Sequence, residues 1–434
     1  METNQVSVQI DSQSEDELFY SIKQKIHPIP STECCIYRIP ECLRILPEEA
    51  YVPKIVSLGP FHKGRDSLLA MEEHKRWYLH ALLSRASEPD QCLRHFLNYI
   101  RESEGKAQAS YAEPVNLSSD EFVEMILLDA CFAIELFYNY GRVELRNDND
   151  PIYITSWMLS SLKHDLILLE NQLPFFVLVD LFDMIRDPDK GDLHLEEYVR
   201  YFFRDVLPPI GYSTHRYSGT YINHLLDFLH TQFVPDCEPT LSESEAGGQH
   251  IECATELNNA GMKFEATHFG QSLLDIRLNK DGVFQMPLFY FDETVSYLMG
   301  NLIALEQCDG RYAPLVSSYV ILLDSLIASP KDVRLLRREA IIDSFFRDDE
   351  ELVSIIKQLS KGLVVSRFFF AELYKQVNYY YHTDWNRWKA NLRRDYIHTL
   401  KRDYFRTPWA FISFIAATVL LFLTLTQTVF TIIS

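Results

Sequence analysis

SSDEFVEMILLDACFAIELFYNYG, residues 118–141, is the stretch whose reading decides the fold. Ser118 stands three residues before Glu121, the spacing at which a hydroxyl and a carboxylate cap a helix start reciprocally. The apolar run behind them reaches Tyr140, and Gly141 supplies a natural stop. Its central run, MILLDACFAIELF (125–137), is very apolar, yet it carries Asp129 and Glu135.

The same punctuation recurs outward from it. Ser329-Pro330-Lys331-Asp332 sets a cap, a first-turn proline and an acid ahead of VRLLRREAII. Asp348 with Glu351 opens ELVSIIKQLSK, and Gly362 closes it. Further helices are predicted over 67–85, 90–103, 155–185, 194–205, 219–231, 292–328 and 366–404. MKFEATH (262–268), LLDIRL (273–278) and VFQMPLF (283–289) alternate with period two, with Asp281-Gly282 as a turn, which predicts a small antiparallel meander. ESEGKAQASYAEPVN (102–116) and CEPTLSESEAGGQH (237–250) read as exposed loops. The fold class is therefore mainly α (α+β), a large helical globule with a small β meander and a C-terminal transmembrane helix.

The two ends differ. The first 30 residues are polar and acidic and lack the apolar run of a secretory signal peptide; they read as a disordered segment. From Thr407 to Ser434 there is no charged residue. A span of roughly 20 helical residues crosses the hydrocarbon core, and Trp409–Phe430 supplies 22. The expected organisation is a helical domain over 31–404 and a transmembrane helix over 408–431, with loop 237–250 as a candidate boundary between two lobes. Lys and Arg flank only the N-terminal side of the span, which predicts a single-pass C-terminal anchor with the body in the cytosol, at the plasma membrane or the endoplasmic reticulum.

Charge narrows the partners. The chain has 434 residues and a net charge of −20 from 41 Lys+Arg and 61 Asp+Glu, which excludes nucleic acid as a general partner. Locally, Trp385–Arg406 carries seven basic residues (Arg387, Lys389, Arg393, Arg394, Lys401, Arg402, Arg406) against Asp395 and Asp403. This collar either fixes topology or attracts anionic lipid. Cys34, Cys35, Cys42, Cys92, Cys131, Cys237, Cys253 and Cys308 form no C-x-x-C pair and no zinc spacing, and read as reduced thiols.

Motifs for known chemistries are absent. RDPDKGDLHLEEY offers Asp187, Asp189 and Asp192, yet from Asp187 the sixth position is Asp192 and the twelfth Tyr198, where a calcium loop needs glycine and a carboxylate. No phosphate loop, Rossmann fingerprint, zinc-protease motif or nucleophile elbow occurs, so no cofactor or metal is assigned. The feature that remains is acids inside apolar helices: Asp129, Glu135, Glu170 with Asn171 and Gln172, Glu306 and Asp324. Asp129, Glu135 and Glu170 are the candidate catalytic residues, because perturbed acids cluster at functional sites. Buried acids also pair with arginines such as Arg38 or Arg44 in a purely architectural role.

A set of phrases carries a resemblance: CCIYRIP (34–40), AYVPKIVSLGPFHKG (50–64), LLAMEEHKRWYL (68–79), LLDACFAIELF (127–137), DLILLENQLPFFVL (165–178), CATELNNAGMKF (253–264), NLIALEQ (301–307) and SSYVILLDSLIASPKDVRLLR (317–337). Together they resemble the plant family catalogued as domain of unknown function 247. The resemblance implies one large domain with a C-terminal membrane helix, and no catalytic residues. It leaves three functions in view: a non-enzymatic interaction or recognition protein, an enzyme using the buried acids, and a scaffold recruiting proteins to a membrane. The uncharged tail gives membrane lipid as a partner, and the scarcity of catalytic motifs on an anchored acidic body points to a protein partner of unknown identity.

Overall fold

The structure is a computed structural model that describes residues 19–20, 22–23, 34–207, 221–233, 250–267, 272–383, 415–424 and 426–427. Local signals set the helix starts. Helix α1 (Leu69–Leu83) is entered through a 3-10 turn at Asp66–Leu68, and α2 (Pro89–Ala109) begins on a proline, whose missing N–H would be unbonded there anyway. Helix α3 (Ser119–Gly141) carries the capping box: the Glu121 N–H donates to Ser118 Oγ, and the Glu121 carboxylate accepts from the Ser118 N–H at 2.9 Å. Every residue from Met125 to Asn139 is buried. A helix buried all round needs neighbours on every side.

Helices α1 and α2 supply two of those neighbours. The short α4 (Pro151–Ile154) leads into α5 (Ser156–Leu166); then α6 (Phe175–Asp183) and α7 (Leu195–Phe202) close the remaining sides of α3. Helix α8 (Leu225–Thr231) and α9 (Ala254–Asn259) follow. The second half of the core is α10 (Glu293–Cys308), α11 (Leu315–Leu326), α12 (Pro330–Arg338), α13 (Asp349–Ser360) and α14 (Ala371–His382). Helix α10 touches α5, so one apolar cluster runs from Cys35 to Val377.

Among the described residues, five short strands complete the body. Strands β1 (Lys263–Thr267), β2 (Arg277–Leu278) and β3 (Val283–Pro287) form a sheet of order β1-β3-β2, and β4 (Phe289–Phe291) pairs with β5 (Ile342–Ser344). The expected antiparallel meander is corrected. Only β2 and β3 run antiparallel, across the turn in which Gly282 sits at φ 76° and donates to the Asn279 carbonyl. Strand β1 lies parallel to β3, with Phe264 opposite Phe284. Period-two alternation assigns faces to a strand and says nothing of its partner.

Other boundaries also differ from expectation. Segment 102–116 is not a loop throughout: α2 continues to Ala109 because Phe96, Ile100 and Ala107 line one buried face. The single helices expected over 155–185 and 292–328 are each interrupted, at Ile167–Pro174 and at Asp309–Pro314. The helix expected through Ile342 stops at Arg338, where Ala340 turns left-handed (φ 55°) so that buried Ile341 and Ile342 enter β5. Of the expected 366–404 helix, Ala371–His382 is helical and residues beyond 383 lie outside the described set.

Half of the expected transmembrane span 408–431 lies outside the described residues, as do loop 237–249 and most of 1–30. Residues 415–424 and 426–427 are helical and exposed, and 19–20 and 22–23 are helical. No helix among the described residues is long and apolar enough to cross a membrane.

Candidate functional site

Residues 34–62 have little regular structure, and Cys35, Ile36, Ile39, Leu46, Ala50, Tyr51, Val56 and Leu58 of this segment are buried in the core. Buried peptide groups without a ladder need other partners. Side chains supply them. Glu170 accepts from the Ile39 N–H at 2.8 Å. Asp165 accepts from Lys54, Ile55 and Val56 at 2.7, 2.8 and 2.9 Å. Asn171 accepts from Leu58 at 2.7 Å, and Asp129 from Gly59 at 2.8 Å. The carbonyls are met as well: Ala50 by Asn301 Nδ2 at 2.9 Å, Val56 by Asn171 Nδ2 at 3.1 Å and Ser57 by Lys75 Nζ at 2.7 Å. The segment is a strap, fastened by polar side chains in place of a sheet.

The three candidate acids sit in separate networks. Asp129 faces Lys75 at 2.6 Å, and Lys75 also donates to Glu72 at 2.5 Å. Burial works against the Lys75 charge, but Asp129 and Glu72 outweigh it and hold the ammonium above its ordinary value. Glu135 accepts from Arg85 at 3.0 Å and from Asn139 at 2.9 Å. Glu170 accepts from Arg44 at 2.6 Å, and its second oxygen stands 3.7 Å from Arg38 and 3.6 Å from His62. No two of these acids share a cation.

His62 is 1% exposed, and neither ring nitrogen has a hydrogen bond. Glu170 would draw a proton onto the ring, but burial and the guanidiniums of Arg65, Arg38 and Arg44 oppose it and push its pKa down to about 3. Glu306 has a different task. It accepts from the first amides of α11, Val316 and Ser317, both at 2.8 Å, and lies 2.9 Å from His230. A carboxylate there meets both the unpaired N–H groups and the positive end of the helix. Asp324 is only half-buried.

Asp165, Lys75, His62 and Asn301 were not singled out from the sequence. Asp165 stands five residues before Glu170 in a single apolar run, so the signal that marked Glu170 applied to it too. The acidic turn 187–192 is closed on itself: Asp187 accepts from the Asp189 N–H, and Asp192 accepts from the Asp187 N–H, Tyr138 and Arg142. Among the described residues no group of three or more His, Cys, Asp or Glu is placed to hold a metal.

Above Glu135 opens a cleft of about 570 Å³ at one end of the α1, α2, α3 and α6 bundle. Arg85, Arg142 and Arg186 line it together with Phe96, Tyr138 and Phe182. Arg85 lies over the Tyr138 ring, 4.9 Å from its centroid, and Arg142 donates to Glu144 at 2.7 Å and Asp192 at 3.1 Å.

The family model for a plant protein of unknown function, domain of unknown function 247, matches residues 36–423. The chain belongs to this family. The chain is similar to UPF0481 protein At3g47200 of Arabidopsis thaliana, 29% identical across 92% of this chain and 87% of the relative. It is also similar to Putative UPF0481 protein At3g02645 of the same plant, 20% identical across 92% of this chain and 90% of the relative. No solved structure matches. The matched region takes in the strap from Ile36 onward, every buried acid described above and the cleft.

Proposed function

We propose that this family member is a non-enzymatic interaction protein, tethered to a membrane by its C-terminal stretch with its body in the cytosol. One observation carries the non-enzymatic part: Asp129, Glu135 and Glu170 each hold a cation, and two of them hold the strap backbone too. A carboxylate bound in this way is a fixed acceptor and a poor general base, because taking a proton would break the bonds that position the chain. The tether rests on the uncharged stretch 407–434 and the basic collar before it. Partners on this reading are lipid through the tail and a protein through the body, with no nucleic acid.

The test is affinity purification of the full-length chain from detergent-solubilised plant membranes. The reading expects a defined protein that stays bound through a high-salt wash. It is overturned if the purified monomer turns over a substrate and Asp129→Asn or Glu170→Gln abolishes turnover in a folded protein.

A further inference from the structure

The cleft of about 570 Å³ has the size of a small-molecule site, and its walls mix aromatic rings with a few charged groups. What distinguishes it is the state of those charges. Arg85 is committed to Glu135, and Arg142 to Glu144 and Asp192. Arg186 is different. It gives Nη1 to His194 and stands 3.7 Å from Asp183, while Nε and Nη2 make no hydrogen bond among the described residues. Its side chain is only 18% exposed. A guanidinium offers its donors as a planar fork, which matches the two oxygens of a carboxylate.

The surroundings select among anions. Glu88 and Asp187 also line the cleft, so a doubly charged phosphate meets repulsion that a single carboxylate escapes more easily. The Asp192 oxygens are occupied by Tyr138, Arg142 and the Asp187 amide, so they offer little to an incoming cation. Leu145, Met184 and Ile185 provide accessible apolar wall beside the arginine. We propose that the cleft binds an amphipathic organic monocarboxylate, with its carboxylate on the Arg186 fork and its apolar body against Leu145, Met184 and Ile185. The proposal concerns the body of the protein and stands whether or not the tail is a tether.

The experiment uses three probes with one skeleton and different charge: phenylbutyrate, phenylbutanol and phenylbutylamine. Each is titrated calorimetrically into the full-length chain held in an amphipathic polymer, with polymer alone subtracted. The acid is expected to bind saturably, and the alcohol and amine at least about tenfold more weakly, in line with loss of a charge-assisted bidentate contact. Arg186→Ala is expected to lose about tenfold in acid binding with an unchanged thermal midpoint, and Arg186→Lys to lose less. Cys92→Phe, which places a ring in the cleft, should abolish binding. The proposal is overturned if the acid fails to bind, if the alcohol or amine binds as tightly, or if Arg186→Ala in a folded protein binds the acid unchanged.

Discussion

A single buried carboxylate does two jobs at Glu170, and its removal separates them. Glu170→Ala leaves the Arg44 charge and the Ile39 N–H without their acceptor. Breaking such a pair costs about 3 kcal/mol, toward the low end because Arg44 is partly exposed. Glu170→Gln keeps an acceptor for the amide and should cost less. Urea unfolding checks both, and a loss under about 1 kcal/mol for the alanine variant would show that the strap does not depend on this acid. His62 sets a pH dependence. Its folded pKa of about 3 lies below the unfolded value of about 6.5. Below pH 6.5 the unfolded chain takes up a proton that the folded chain refuses, so stability falls as the pH drops from 6.5 toward 3. The slope approaches about 1.4 kcal/mol per pH unit. His62→Gln should flatten the urea midpoint between pH 6.5 and 5; an unchanged slope would mean that another group sets it.

At the scale of elements, the strap turns on Gly59, which sits at φ 72° with its N–H on Asp129. A Cβ there would lie 2.7 Å from the Gln172 carbonyl oxygen and 2.8 Å from Tyr111 Oη. Gly59→Ala is therefore expected to destabilise the chain by about 2 kcal/mol or more, from left-handed strain and the clash together. A neutral result in thermal unfolding would mean that the backbone here relaxes without cost. The elements that were readable in sequence are those whose signal is local. Ser118 with Glu121, Ser329 with Asp332 and Asp348 with Glu351 all cap the helices that they announce. The break at 167–174 was hidden because the apolar pattern runs on to Pro174, whereas DGRYAP (309–314) carries Gly310 and Pro314, breaker signals that the expected single helix passed over. Both breaks depend on groups whose partners are remote: Asn171 holds Leu58, Gln172 accepts from Leu226, and Asp309 takes the Tyr37 hydroxyl. The pairing of Glu170 with Arg38 and Arg44 was anticipated as a type of contact; the role of the acids as backbone acceptors for a strap was not. Nothing in a one-dimensional pattern says that residues 34–62 have one isolated bridge, Ile36 with Tyr111, and no longer ladder.

For the whole molecule, the acidic body and the basic, then uncharged, tail make two predictions. The full-length chain should remain in the membrane pellet after alkaline carbonate extraction, and a chain ending at Arg406 should move to the aqueous fraction. Recovery of both in the aqueous fraction would remove the tether. Asn116 begins the sequon Asn116-Leu117-Ser118 and is exposed on the turn between α2 and α3. It should nevertheless stay unmodified in plant cells, because a cytosolic body never meets the glycosylation machinery. A shift on endoglycosidase treatment would put the body on the other side of the membrane.

The strap also imposes an order on synthesis. Its first residues leave the ribosome early, yet Ala50 waits for Asn301, 251 residues later. At about 5–20 residues per second, that delay is on the order of tens of seconds. During it the Ala50 carbonyl lacks its Asn301 partner and the turn at 48–50 lacks its packing against α10, so chaperone binding and protease cleavage should concentrate there. Arrested chains released before residue 301 should be cut within 34–62, and chains released after the α10 helix is complete should resist.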